Sequence, residues 1–205
     1  FTSINPGSGK SHLAANMAMS LAIKKKKVLL IDGDLRHGST SMVVGSPGEG
    51  LSDYLNGRVS DIHDIICKGE ESGLVKYFDI LPIGTIPPNP TELLFTPLLE
   101  QMIKQVRQEY DYVFIDCPPI EIVADTPIYE QYADRTIFVV RAGLMERSML
   151  PDVEELYKEK KFKNMSLILN GTKTQGGKYG SHYGYGYGYG YGYNYHYGSD
   201  KGGQK

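Results

Sequence analysis

Three runs of consecutive apolar residues, Val28-Leu-Leu-Ile-Asp32, Tyr112-Val-Phe-Ile-Asp116 and Thr136-Ile-Phe-Val-Val140, leave this chain few folds to adopt. A run that is apolar at every position suits neither an amphipathic helix nor a strand with one wet face. It reads as a strand buried on both faces of a parallel sheet. Phe78-Asp-Ile-Leu-Pro82 and Ser166-Leu-Ile-Leu-Asn170 add two further strands, and helical patterns lie between them at Ser11 to Lys24, Thr91 to Tyr110 and Arg147 to Lys160. Strands and helices alternating at these lengths imply right-handed crossovers and a doubly wound, mostly parallel α/β sheet. Such a sheet binds its ligand at the carboxyl ends of the strands. Phe1-Thr2-Ser3 is only the stub of a strand, so the chain reads as starting inside a domain with upstream elements missing.

The stub runs into Asn5-Pro-Gly-Ser-Gly-Lys10-Ser11 and then into a helix. Glycines at 7 and 9 let backbone N–H groups turn inward around phosphate oxygens, and the helix start adds the positive end of its dipole. Pro6, Gly7, Ser8, Gly9, Lys10, Ser11 and His12 are therefore the expected nucleotide-binding segment, with Lys10 reaching the β- and γ-phosphates and the Ser11 hydroxyl on Mg²⁺. One position departs from G-x-x-x-x-G-K-[ST], because the usual first glycine is Ile4. A Mg-nucleotide site also needs carboxylates opposite the phosphate loop. Asp32, Asp34 and Asp116 stand at strand ends where they would supply them, although aspartate is also a common turn residue there.

Lys and Arg number 22 against 24 Asp and Glu, a balance of −2 that excludes a dedicated nucleic-acid binder. Cys67 and Cys117 are too few for a disulfide framework or a thiolate metal cluster, which points to a reducing compartment. His12, His37 and His63 lack partners at metal-ligand spacing, so no zinc is expected. No apolar run approaches the roughly 20 residues of a membrane span and no signal peptide opens the chain, which reads as soluble.

The phosphate loop, Leu-Leu-Ile-Asp32-Gly-Asp34-Leu-Arg36 and Val-Phe-Ile-Asp116-Cys-Pro-Pro together resemble the bacterial tyrosine kinases, the cytoplasmic kinase parts of polysaccharide co-polymerases. Pro87-Pro88-Asn89-Pro90-Thr91-Glu92-Leu93-Leu94 and the terminal tyrosines are similar to segments of the same family. The resemblance implies a P-loop NTPase fold and an ATP- and Mg²⁺-dependent protein-tyrosine kinase. Lys10 would stabilise the transferring phosphoryl group, Ser11 and Asp34 would hold Mg²⁺ directly, Asp116 directly or through water, and Asp32 would be the base. It further implies a homo-oligomer, a ring in this family, and a membrane-embedded activator or a transmembrane segment of the same protein. The setting would be the polysaccharide export machinery at the cytoplasmic face of the bacterial inner membrane, with a role in exopolysaccharide or capsule synthesis. Partition-type switch ATPases share the loop but carry a second lysine near its start, where this chain has Ile4-Asn5-Pro6. Such an ATPase, or a non-catalytic nucleotide-binding scaffold, is the alternative.

Nine of the 16 tyrosines (Tyr179, Tyr183, Tyr185, Tyr187, Tyr189, Tyr191, Tyr193, Tyr195 and Tyr197) fall in the last 30 residues, with 11 of the 24 glycines. Glycine makes ordering entropically expensive and offers nothing to pack, so residues 176–205 are expected to be a disordered tail and residues 1–175 the kinase domain. A sticky tract, a stacking surface and an array of phosphorylation sites all fit the composition; beside a nucleotide site the tail becomes the substrate for autophosphorylation, in trans as readily as in cis. Four residues or segments stay open. Arg36 is a phosphate or subunit contact or a plain surface arginine. Asn170 offers an amide to adenine or marks a turn. Lys24 to Lys27 is a solvated helix end or a membrane or subunit contact. Pro87 to Leu94 is a PxxP ligand or a loop opening a helix.

Overall fold

The computed structural model describes residues 1–69, 77–121 and 125–172. The 175/176 boundary and the nine tail tyrosines lie outside the described residues. Five strands form where the apolar runs predict them: β1 (Val28–Asp32), β2 (Asp79–Leu81), β3 (Tyr112–Asp116), β4 (Ile137–Arg141) and β5 (Ser166–Asn170). They pair in parallel as β2-β1-β3 and β4-β5.

The first three residues join the two groups. The Phe1 nitrogen donates to Ile115 O at 2.8 Å and Cys117 N to Phe1 O at 2.9 Å. On the other side Thr2 N donates to Ile137 O at 3.0 Å and Val139 N to Thr2 O at 2.8 Å. The stub thus occupies the central position of one sheet, ordered β2-β1-β3, residues 1–3, β4-β5. Chain order reverses beside this segment, which is where a doubly wound sheet opens a ligand crevice.

β1 is buried along its whole length. Its period-2 side chains enter two different cores. Leu29 and Ile31 pack with Leu51, Leu81, Leu94 and Leu99, while Val28 and Leu30 pack with Phe78, Ile80 and two alanines of α1 (Lys10–Ile23). Ala14 and Ala18, one helical turn apart and fully buried, let α1 lie close against the sheet. β3 departs from the two-sided burial its sequence predicts. Tyr112 is 41% exposed at the strand's start and residues 113–115 are half-buried. β5 leaves Leu167 and Leu169 exposed on one face.

The single helix read from Thr91 to Tyr110 is two, α3 (Pro90–Leu94) and α4 (Pro97–Glu109). Pro97 lacks the N–H to continue α3 and starts α4 instead, with Thr96 before it extended at φ −72° and ψ 146°. The helix expected over Arg147 to Lys160 begins with a 3₁₀ turn and becomes α6 only at Leu150–Lys158, with proline in its first turn. Two short helices, α2 (Leu51–Leu55) and α5 (Asp125–Glu130), carry too few residues for a periodic signal. Among the described residues no helix is long and apolar enough to cross a membrane.

Candidate active site

Asn5 to Lys10 forms a tight loop from the stub into α1. Gly7 and Gly9 take φ of +72° and +93°, a region L side chains rarely enter, so the loop needs glycine at both. At Gly9 space is short as well, since an added Cβ would lie 2.4 Å from Asn170 Nδ2. The loop is held from inside by hydroxyls, Ser3 and Ser8 donating to Asn5 O at 2.7 and 2.8 Å. It is held from outside by β4 and β5: Arg141 Nη1 donates to Gly7 O at 2.6 Å and Asn170 Nδ2 to Ser8 O at 2.9 Å. Asn170 is therefore more than a turn residue. Ile4 has its own account: it is buried with Phe138, Val140, Val153 and Phe162, so at this position the side chain serves the core.

Lys10 is buried, 9% exposed, with Nζ 3.2 Å from Ser3 Oγ. Burial pulls its ammonium below the ordinary lysine range, and Asp116 and Asp34 oppose that shift, which places both carboxylates in its neighbourhood. Register puts Asp32 directly beside Asp116 on adjacent strands. Gly33 N donates to Asp116 O at 2.9 Å, tying the two acid-bearing turns together. Asp34 is partly exposed and folds back on its own turn, its Oδ1 accepting from Arg36 N and His37 N at 3.2 and 3.3 Å. Ser11, at the start of α1, has its hydroxyl next to Asp116. His12 is exposed, and Pro6 and Gly7 form the open rim of the loop.

The two buried acids differ in their surroundings. Asp32 is fully buried and Oδ2 accepts both Ser41 N–H and Ser41 O–H at 2.7 Å; Oδ1 has only a long 3.4 Å contact from Asp34 N. Burial pushes its carboxyl up to about 7, against the Ser41 hydrogen bonds. Asp116 is also raised by burial, opposed by the Ser11 and Thr40 hydroxyls. Thr40 Oγ1 donates to Asp116 Oδ2 at 2.8 Å, whereas Asp116 Oδ1 is buried and has no hydrogen-bond partner among the described residues.

A raised folded-state pKa means that the native protein binds the proton more tightly than the unfolded chain. The Asp32 penalty is therefore absent at low pH, grows as pH climbs above about 4, and is complete above about 7. The gap from 3.8 to about 7 sets an upper bound of about 4 kcal/mol. Asp32→Asn, measured without nucleotide or metal, is expected to raise the thermal midpoint at pH 8 clearly more than at pH 5.5. Equal effects at the two values would contradict this account.

Reading the sequence missed Ser3, Thr40, Ser41 and Arg141. Thr40 and Arg141 reach the site across 76 and 134 residues, Ser3 and Ser41 from seven and nine residues away, and no motif spacing marks any of them. Arg36 is engaged inside the fold and is not a plain surface residue. It pairs with buried Asp125, and Nη2 donates to Thr91 Oγ1 at 2.8 Å, while Thr91 donates to Asp125 Oδ1 at 2.7 Å. Thr91 in the proline-rich segment is thus spent on an internal contact, with Pro90 opening α3. The four lysines from Lys24 to Lys27 are exposed at the end of α1, and Cys117 is buried, its thiol pushed up to about 12.

The candidate metal donors are hard oxygens, carboxylates and hydroxyls, with the Lys10 ammonium in their neighbourhood, and Asp116 Oδ1 has no hydrogen-bond partner among the described residues. Among the described residues no group of three or more His, Cys, Asp and Glu forms a metal cage. Hard oxygen donors of this kind suit an ion held by few protein ligands together with phosphate and water, as Mg²⁺ is.

A family model described as an AAA domain matches residues 3–144. Tyrosine-protein kinase CpsD of Streptococcus agalactiae is 35% identical over 183 residues, 88% of this chain and 78% of the relative. The kinase domain of the Escherichia coli tyrosine kinase ETK superposes with a TM-score of 0.76 at 29% identity, covering 95% of this chain and 70% of that one. The septum site-determining protein MinD of Pyrococcus horikoshii, solved with Mg-ADP, gives 0.64 at 26% identity over 82% of this chain and 67% of that one.

Proposed function

The chain belongs to the bacterial tyrosine-protein kinases, on an AAA-type P-loop fold, and from that premise we propose that it transfers the γ-phosphoryl group of ATP to its own C-terminal tyrosines. The observation that carries this reading is the convergence of Lys10, Asp34 and Asp116 beside a glycine loop, with Asp116 Oδ1 buried and unpartnered. A buried carboxylate oxygen without a donor is costly unless a cation completes it.

The loop N–H groups and the start of α1 bind the phosphates, and Lys10 offsets the charge that spreads over the transferring group. Ser11, Asp34 and Asp116 would hold Mg²⁺, which neutralises phosphate charge and helps orient the transfer. Asp32 takes the phenolic proton through Oδ1, because Oδ2 is occupied by Ser41. The tyrosine oxygen then bonds to the γ-phosphorus as the β–γ bridging P–O bond breaks, and ADP leaves with that electron pair. Positioning and electrostatics carry most of such a reaction.

The acceptors are Tyr179, Tyr183, Tyr185, Tyr187, Tyr189, Tyr191, Tyr193, Tyr195 and Tyr197, reached in trans within a homo-oligomer. Nine phosphotyrosines at about −1.5 to −2 each would carry the chain from −2 to roughly −16 or beyond. Repulsion of that size disperses the assembly, and the setting is polysaccharide synthesis and export beside a membrane partner.

The test is to incubate the chain with ATP and Mg²⁺, map phosphotyrosine by mass spectrometry and follow mass by light scattering. Tail phosphotyrosine and a fall in mass are expected. Mixing an active chain lacking residues 176–205 with a Lys10→Met chain that keeps its tail should label the latter if transfer is in trans. ATP turnover without phosphotyrosine would instead establish a switch ATPase; neither would leave a nucleotide-binding scaffold.

A further inference from the structure

Adjacent hydroxyl residues meet both buried acids from a part of the chain that belongs to no nucleotide motif. Ser41 is the anchor. Its N–H and O–H both donate to Asp32 Oδ2, and its Oγ accepts from Ile83 N at 2.8 Å, which ties it to the turn after β2. Ser41 is 2% exposed, so this short segment has little freedom to shift. Thr40 precedes it and is equally buried; its single donor goes to Asp116 Oδ2 at 2.8 Å.

A carboxylate with one oxygen engaged by a fixed donor loses rotation about its terminal torsion, so the other oxygen keeps one position. In Asp116 that other oxygen is Oδ1, the buried atom without a hydrogen bond. Asp116 has few alternative ways to be oriented: the Ser11 hydroxyl nearby belongs to the nucleotide-binding segment itself, and Gly33 bonds only the Asp116 backbone.

We propose that Thr40 is a positioning residue for the divalent cation, its hydroxyl holding Asp116 so that Oδ1 is presented to the metal. The proposal rests on the reading of Asp116 as a ligand of Mg²⁺. Donors behind a metal ligand typically contribute 10- to 100-fold in metal affinity.

The experiment measures ADP affinity by calorimetry in Mg²⁺ and in EDTA for the unaltered protein and for Thr40→Val, Thr40→Ser and Asp116→Asn. Thr40→Val keeps the shape and removes the hydroxyl. It is expected to reduce the Mg²⁺-dependent gain in affinity by about 10-fold or more while leaving binding in EDTA unchanged. Thr40→Ser, which keeps the hydroxyl, should restore the gain. Thermal unfolding in EDTA accompanies each variant, and Thr40→Ala replaces Thr40→Val if the valine does not fold. Three results overturn the proposal: Thr40→Val keeping the full gain while Asp116→Asn loses it, Thr40→Val losing affinity equally in EDTA, or Thr40→Ser failing to restore it. If Asp116→Asn keeps the gain, the assignment of Asp116 as a ligand falls first and the role of Thr40 falls with it.

Discussion

Replacing Lys10 by methionine is expected to lower phosphotyrosine formation at saturating ATP by about 10³-fold or more. Methionine retains most of the length and the apolar stem, so the variant tests the charge. Lys10 is buried beside Asp116 and Asp34. In a site shielded from water, a cation aimed at the transferring phosphoryl group offsets charge that solvent cannot reach to screen. The stability change should be small by comparison. Methionine removes the cost of burying an ammonium, while Asp116 loses the neighbouring positive charge that opposes its upward shift. Single-turnover assays with radiolabelled ATP and a thermal melt at one pH separate the two effects. A rate within tenfold of the unaltered chain would remove Lys10 from the chemistry.

The second large effect is expected at Gly33, between Asp32 and Asp34. A Cβ there would lie 2.9 Å from Ile115 Cγ2, 3.0 Å from Asp116 O and 3.3 Å from Tyr129 Cε2. Two of these neighbours cannot yield cheaply, being a β-branched side chain on β3 and a backbone carbonyl that accepts from Gly33 N. Alanine must therefore push β1 and β3 apart at the level where their terminal acids pair. Overpacking of this kind costs about 1–3 kcal/mol. Displacing catalytic groups by about 1 Å costs on the order of 10²-fold in rate. Gly33→Ala should thus lower the unfolding midpoint and, in the fraction that remains folded, slow turnover with little change in ADP affinity measured in EDTA. Wild-type turnover in a folded Gly33→Ala protein would show that the acids tolerate the displacement.

The strands, the glycine loop and the three acids were legible because each is written in a contiguous stretch. An apolar run ending in aspartate states both the burial of a strand and the place where it emerges. The break at Pro97 was not read, because the apolar periodicity continues across it from Thr91 to Tyr110. Ile4 shows the opposite case: against a motif it reads as a defect, and only its packing beside Phe138 and Phe162 explains it. Arg36 lies next to the acid-bearing turn in sequence, yet its partners Thr91 and Asp125 are 55 and 89 residues away, so nothing local could choose among its possible roles.

By itself, then, the sequence determined the parallel α/β class, the glycine loop and the strand-end acids, since local spacing and side-chain chemistry suffice for each. The tertiary structure alone decided that residues 1–3 join the two halves of the sheet. It also decided that the Thr40 and Ser41 hydroxyls donate to Asp116 and Asp32, and that Asp116 Oδ1 has no hydrogen-bond partner among the described residues. Those outcomes depend on which distant segments a folded sheet brings within hydrogen-bond reach, and that information is spread along the chain and becomes local only when the chain has folded.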